Sequence, residues 1–178
     1  MTPLPIFQVD AFAERPFTGN PAAVMPLTEW LPDEMMQAIA AENNLSETAF
    51  TVPSESGDAD YDLRWFTPAI EVPLCGHATL AAGHVLIRGN QVRFATKSGV
   101  LAVNRDEHDE TLLKLDLPAA RLSEVDEPQL CKALGLSPRP LWLADGCNDS
   151  IIVSVDSEAE VRAVSPDFAA LGRIHRIA

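Results

Sequence analysis

The sequence predicts an α+β fold in which a sheet wraps a buried helix, followed by a second, shorter unit. Three observations predict it. Residues 76–87 have helical length and are rich in small side chains, with Ala78, Ala81, Ala82 and Gly83 letting other elements approach from most sides. Short runs of apolar, β-branched and aromatic residues flank this segment on both sides. After Leu117-Pro118-Ala119-Ala120, the best linker candidate, the pattern starts afresh. The expected division is therefore residues 1–116 as a first lobe and residues 117–178 as the opening part of a second.

Each element has a local reason. Ile6, Phe7, Val9 and Phe12 mark a first strand, and a turn cluster from Arg15 to Pro21 follows it. Residues 22–25 form a short buried strand closed by Pro26. Residues 32–42 form a helix: Pro32 suits its start, Asp33 and Glu34 suit the positive end of its dipole, and Met35, Met36, Ile39 and Ala40 make one apolar stripe. Asn43-Asn44 ends it. Residues 48–52 and 61–65 read as strands joined by a polar loop over 54–60. Beyond the small-residue helix, residues 91–96, 99–104 and 111–116 read as strands, the first two joined by a turn at Lys97-Ser98-Gly99. In the second unit, residues 127–134 form a helix ended by Gly135, residues 141–144 and 151–155 are strands, and residues 158–164 are a helix. Two strands are too few for an independent sheet-based core, so this unit reads as unfinished.

Composition excludes several classes. The chain has 178 residues, 47% hydrophobic and 22% charged, which suits a globular protein rather than a disordered one. No apolar run is long enough to span a bilayer, and the N-terminus lacks the basic and apolar regions of a signal peptide. A net charge of −13 argues against nucleic acid, whose binding rests on Lys and Arg neutralising phosphates. Arg64, Arg88, Arg93, Lys97 and Arg105 nevertheless form a basic stretch around a lone acid, Glu71. That stretch suits either a small anionic ligand or a solvated sheet face. The three cysteines, Cys75, Cys131 and Cys147, have neither zinc-knuckle nor CxxC spacing, so reduced thiols in a cytoplasmic protein are expected. Cys147 falls in a turn with no second motif residue beside it.

Two segments could carry chemistry. In Asn44-Leu45-Ser46-Glu47-Thr48-Ala49-Phe50, Glu47 stands at the mouth of an apolar strand. A carboxylate there is either partly desolvated and suited to taking and returning protons, or an ordinary exposed strand start. The second segment, Phe66 to Thr79, feeds a proline-containing loop into the small-residue helix. The backbone N–H groups of Gly76, His77 and Ala78 then lie at the positive end of a helix dipole, where a carboxylate can bind. His77 could move a proton or simply pack at the helix start. Cys75 could be a thiolate of lowered pKa or a small buried apolar residue. His84 reads as core, and neither His108 nor the tail residue His175 has an evident role.

The order Phe7-Gln8-Val9-Asp10-Ala11-Phe12, Phe17-Thr18-Gly19-Asn20-Pro21-Ala22-Ala23-Val24, Asn44-Leu45-Ser46-Glu47-Thr48-Ala49-Phe50, Arg64-Trp65-Phe66-Thr67-Pro68 and Cys75-Gly76-His77-Ala78-Thr79-Leu80 resembles the phenazine-biosynthesis PhzF-like family. That family belongs with diaminopimelate epimerases and proline racemases. The resemblance implies a diaminopimelate epimerase-like fold of two similar lobes, each with a sheet around a central helix and the active site in the cleft between. It implies a cofactor-independent isomerase, with Glu47 as the acid/base that moves a carbon-bound proton and His77 assisting. Asn20, Cys75, Gly76 and Ala78 would line the site of a small anionic metabolite. No metal or organic cofactor is implied, and the complete form would be a homodimer without nucleic-acid or membrane partners.

Two departures bear on this. Related epimerases carry a catalytic thiol in Cys-Gly-Asn-Gly, whereas His77 and Ala78 follow here and no partner Cys-Gly-Ser/Thr motif appears, which argues against a thiol-dependent racemase using Cys75. Family members are also longer, and their second lobe supplies an aspartate and a Gly-Ser loop facing the glutamate. The expectation is that this chain holds lobe one and half of lobe two and is inactive alone. The alternative is a non-catalytic small-acid-binding or dimer-forming module.

Overall fold

The structure is a computed structural model and describes residues 3–15, 17–145 and 150–174. The chain divides into two compact units, Met1–Leu117 and Pro118–Ala178. The readings of Cys147 as a turn residue and of His175 in the tail lie outside the described residues. Among the described residues no helix is long and apolar enough to cross a membrane.

The first unit opens with β1 (Phe7–Ala11) and β2 (Asn20–Pro26), an antiparallel pair. Helix α1 (Asp33–Asn43) then carries the chain over to β3 (Glu47–Pro53), which lies parallel to β2. Strands β4 (Tyr61–Phe66) and the two-residue β5 (Glu71–Val72) follow, and helix α2 (Gly76–Leu86) crosses over to β6 (Gln91–Thr96), parallel to β4. The antiparallel strands β7 (Gly99–Arg105) and β8 (Leu113–Asp116) complete a sheet of order β1-β2-β3-β4-β6-β7-β8, with β5 beside β4.

Parallel neighbours need a crossover, and here the two crossovers lie on opposite faces. On one face α2 packs with Ala22, Val24, Ala49, Leu63, Trp65, Val92, Phe94, Leu101 and Val103. On the other, Met36 and Ala40 of α1 pack with Met25, Phe50, Val52 and Phe66. Strand β3 is covered on both sides, which explains its unbroken buried run from Thr48 to Val52. Helix α2 touches β1 and β8, the two ends of the sheet, as well as β2, β3 and β7, so the sheet curls around it. Its small residues permit this. A Cβ added at Gly83 would lie 2.6 Å from Val103 Cγ1, closer than carbon atoms can approach.

Strand β8 starts two residues later than the pattern suggests. The reason is that Thr111 and Leu112 donate their N–H groups to Asp109 and form a turn instead. His84, expected in the core, is exposed, because the buried stripe of α2 runs through Ala78, Ala81, Ala82 and Leu86 instead.

The second unit has β9 (Arg121–Val125), α3 (Pro128–Ala133), β10 (Leu141–Asp145), β11 (Ser150–Val153), α4 (Glu158–Ala163) and α5 (Phe168–Leu171). Its antiparallel sheet runs β11-β10-β9, and Leu130, Cys131 and Leu141 are its buried centre. Three strands replace the expected two. Strand β9 has no alternation in its sequence, because it is an exposed edge strand whose partly buried residue is Val125. Helix α5 is a single turn, capped where Asp167 accepts from the Ala170 N–H.

Candidate active site

The site lies where the start of β3 meets the start of α2. Asn44 ends α1 in the left-handed region, φ 50°, with its N–H bonded to Ala40 O, and so turns the chain into β3. Glu47 is thereby the first residue of β3, paired in parallel register with Ala22 of β2. Ser46 Oγ donates to Asn20 Oδ1 at 3.3 Å, which ties the start of β2 to the same corner.

The segment from Thr67 to Cys75 is held at several points before it delivers α2. Thr67 Oγ1 accepts from the N–H groups of Ala69 and Ile70, forming a tight turn. Arg64 of β4 grips Glu71 with two bonds of 2.8 and 2.9 Å and reaches Asp33 at 2.8 Å. Lys97 Nζ joins at 2.6 Å from Glu71, and Ser98 Oγ donates to Pro73 O at 2.9 Å. The Arg64 guanidinium holds the Glu71 carboxyl down to about 2, with Lys97 adding to the effect against the cost of burial. The basic stretch is thus used in part for structure: Arg64 and Lys97 converge on its lone acid, and together they pin the loop that places Cys75 and His77. These positioning residues were not singled out from sequence, although a lone acid within a basic stretch was the available signal.

At the helix start, His77 lies between two partners. Its Nε2 is 3.2 Å from Glu47 Oε2, and its Nδ1 is 3.5 Å from Cys75 Sγ. The Glu47 and His77 side chains are 18% and 10% exposed. The close approach of Glu47 and His77 lacks the angles of a hydrogen bond, so Glu47 Oε2 and His77 Nε2 are both buried without a hydrogen-bond partner.

Cys75 is the N-cap of α2, its extended backbone carrying the chain into the helix, and Thr79 Oγ1 donates to its carbonyl at 2.5 Å. The thiol does not have the lowered pKa expected of a cysteine at a helix start. Burial pushes it up to about 12, the Ala78 and His77 N–H groups pull the other way, and the Glu47 carboxylate adds to the rise. Desolvation outweighs the helix dipole because the sulfur sits inside the core cluster.

Of the six residues singled out from sequence, Glu47, Cys75 and His77 meet directly. Asn20 accepts a hydrogen bond from Ser46, the residue before Glu47. Gly76 lies between Cys75 and His77, and a Cβ there would meet only ordinary contacts with Leu115 and Leu117. Ala78 is fully buried, so its methyl belongs to the core and only its N–H is placed to serve a site.

A sheet curled around a small-residue helix gives this chain a diaminopimelate epimerase-like α+β fold, and a carboxylate and an imidazole face each other at the start of that helix. Residues 9–177 match the phenazine biosynthesis-like proteins, PhzC-PhzF, and the chain belongs to that family. It is 52% identical over 177 residues to a protein named an uncharacterized isomerase from Pseudomonas aeruginosa, covering 96% of this chain and 64% of that relative. A crystal structure of a PhzF-family protein from Enterococcus faecalis superposes with a TM-score of 0.81 at 42% identity, covering 96% of this chain and 64% of that one. A hydroxyproline epimerase from Agrobacterium vitis shares the fold at 10% identity, with a TM-score of 0.52 over 79% of this chain and 48% of that one. The chain therefore spans just under two thirds of the length of its PhzF-type relatives.

Proposed function

We propose that the complete protein is a cofactor-independent isomerase or epimerase that moves a carbon-bound proton on a small carboxylate-bearing substrate. The observation that carries this reading is the facing pair of Glu47 Oε2 and His77 Nε2, 3.2 Å apart, buried and without hydrogen bonds. An unpaired buried polar atom costs about 1–3 kcal/mol, a cost the fold has reason to bear where substrate completes the bonding. Glu47 takes the proton from carbon and returns it, and His77 on the helix side assists. The first-turn N–H groups of α2 stabilise negative charge that develops beside the substrate carboxylate. The isomerase name of the Pseudomonas aeruginosa relative supports the reaction class.

On this reading the 178-residue chain, which spans just under two thirds of its relatives' length, is inactive alone, and the complete form is a cytoplasmic homodimer. The raised Cys75 thiol disfavours a thiol-dependent racemase. The test is deuterium uptake from D2O at a substrate carbon by the full-length protein, over a panel of small carboxylates. Incorporation by the wild type and its loss in Glu47→Gln are expected. Exchange retained in Glu47→Gln would remove Glu47 from the mechanism, and tight acid binding with no exchange would favour a non-catalytic binding module.

A further inference from the structure

Glu47, Cys75 and His77 bring three kinds of metal ligand to one place. A carboxylate oxygen, a sulfur and a ring nitrogen lie within 4.8 Å of one another. Glu47 Oε2 and His77 Nε2 are buried there and make no hydrogen bond, their one close approach being to each other at 3.2 Å. We propose that this cluster is a binding site for a thiophilic divalent cation of the zinc type, held by Glu47, Cys75 and one nitrogen of His77 with a fourth position open.

The donor set decides the class of ion. Magnesium and calcium take oxygen ligands, whereas a sulfur, a nitrogen and an oxygen together suit zinc and its neighbours. Tetrahedral zinc, with bonds of about 2.0–2.3 Å, holds its ligand atoms about 3.3–3.6 Å apart. Cys75 Sγ and His77 Nδ1 are already 3.5 Å apart, and His77 Nε2 lies 3.2 Å from Glu47 Oε2. Since an imidazole gives one nitrogen to a given ion, the set has to close by about 1 Å from its present spread. The positive end of α2 opposes a cation with about half a charge, but the Cys75 thiolate and Glu47 carboxylate together bring two negative charges. On binding, the sulfur–metal bond forms as the S–H bond breaks and its proton leaves to solvent, with no change of oxidation state. An ion held there would occupy both groups used by the proposed proton transfer and so block it.

This inference rests on the cluster and not on the isomerase reading, and it is tested without substrate. Cobalt(II) is the probe, titrated into the chelator-treated 178-residue chain under reducing conditions, because its bond to thiolate produces an intense charge-transfer absorption. One cobalt per chain with that band is expected, and zinc should displace it. Cys75→Ser should abolish the band, and His77→Gln and Glu47→Gln should each weaken binding at least tenfold with the thiol intact. Cys131→Ser and Cys147→Ser should bind as the wild type does. Tryptophan fluorescence confirms that each variant is folded, and the His77→Gln and Glu47→Gln titrations decide the matter should Cys75→Ser fail to fold. Absence of the band in the wild type, its persistence in folded Cys75→Ser, or unchanged affinity in both His77→Gln and Glu47→Gln overturns the proposal. None of these results alters the expected effect of Glu47→Gln on deuterium exchange.

Discussion

Replacing Gly83 with alanine tests the packing that places the candidate site. The added methyl would stand 2.6 Å from Val103 Cγ1, 2.9 Å from its Cβ and 3.0 Å from its Cγ2. Carbon contacts settle at about 3.5–4.0 Å, so helix and strand must separate by about 1 Å. The helix is held on most sides, because β1, β2, β3 and β8 touch it as well and its open face is the one that carries His84. Overpacking of this kind costs about 1–3 kcal/mol, against a helix-propensity gain of about 1 kcal/mol for replacing glycine. A net loss of up to about 2 kcal/mol is expected. Val103→Ala alone should cost about 2 kcal/mol by emptying space beneath the helix. In the double variant the new methyl enters that space, so its cost should fall short of the sum by at least about 1 kcal/mol. Urea unfolding followed through buried Trp65, in a Trp30→Phe, Trp142→Phe background, measures all four stabilities. A Gly83→Ala chain more stable than its parent, or strictly additive losses, would refute the claim that close approach of α2 and β7 requires glycine there.

Three further outcomes follow from the structure. Glu71 has its folded pKa lowered from 4.5 to about 2, so its ion pairs stabilise fully above about pH 5, and that contribution fades as pH falls toward about 2. Glu71→Gln should therefore lose about 1–2 kcal/mol near neutral pH, after allowance for solvent screening, and the gap should close in acid; urea midpoints showing a constant gap down to about pH 3 would contradict this. Thr51 is fully buried with an unpaired hydroxyl, and Thr51→Val keeps its shape, so the variant should be more stable by about 1–2 kcal/mol; a lower melting temperature would mean the hydroxyl has a partner. The Cys75 thiol, raised from 9.0 to about 12, should be alkylated by iodoacetamide at least about tenfold more slowly than an ordinary thiol near neutral pH, as read by mass spectrometry of the modified peptide; rapid labelling of the folded chain would revive the reactive-thiol reading.

Much of the first unit was legible in the sequence because its signals are local. The small residues of α2 announced a helix approached from most sides, and the β-branched and aromatic runs marked β2, β3, β4, β6 and β7. Asn43-Asn44 marked the end of α1, which the structure completes with Asn44 in the left-handed region. The second unit was read less well, since β9 is an exposed edge and α5 a single turn, and neither has a periodic face to betray it. Glu47 and His77 could be named from motifs that resemble a known family, and Cys75 with them.

What the sequence by itself determined is the inventory: which segments become helix or strand, where they stop, and which residue types stand at the mouth of β3 and the start of α2. Those depend on neighbours within a turn or a strand's length. The tertiary structure alone decided that Glu47 faces His77 at 3.2 Å and that the sulfur of Cys75 joins them. It alone decided that Arg64 and Lys97 close on Glu71, that His84 is exposed, and that the Cys75 thiol rises instead of falling. The physical reason is common to all of these. Burial and charge at a side chain are set by groups distant in sequence, and the curl of the sheet around α2 selects which of those groups arrive.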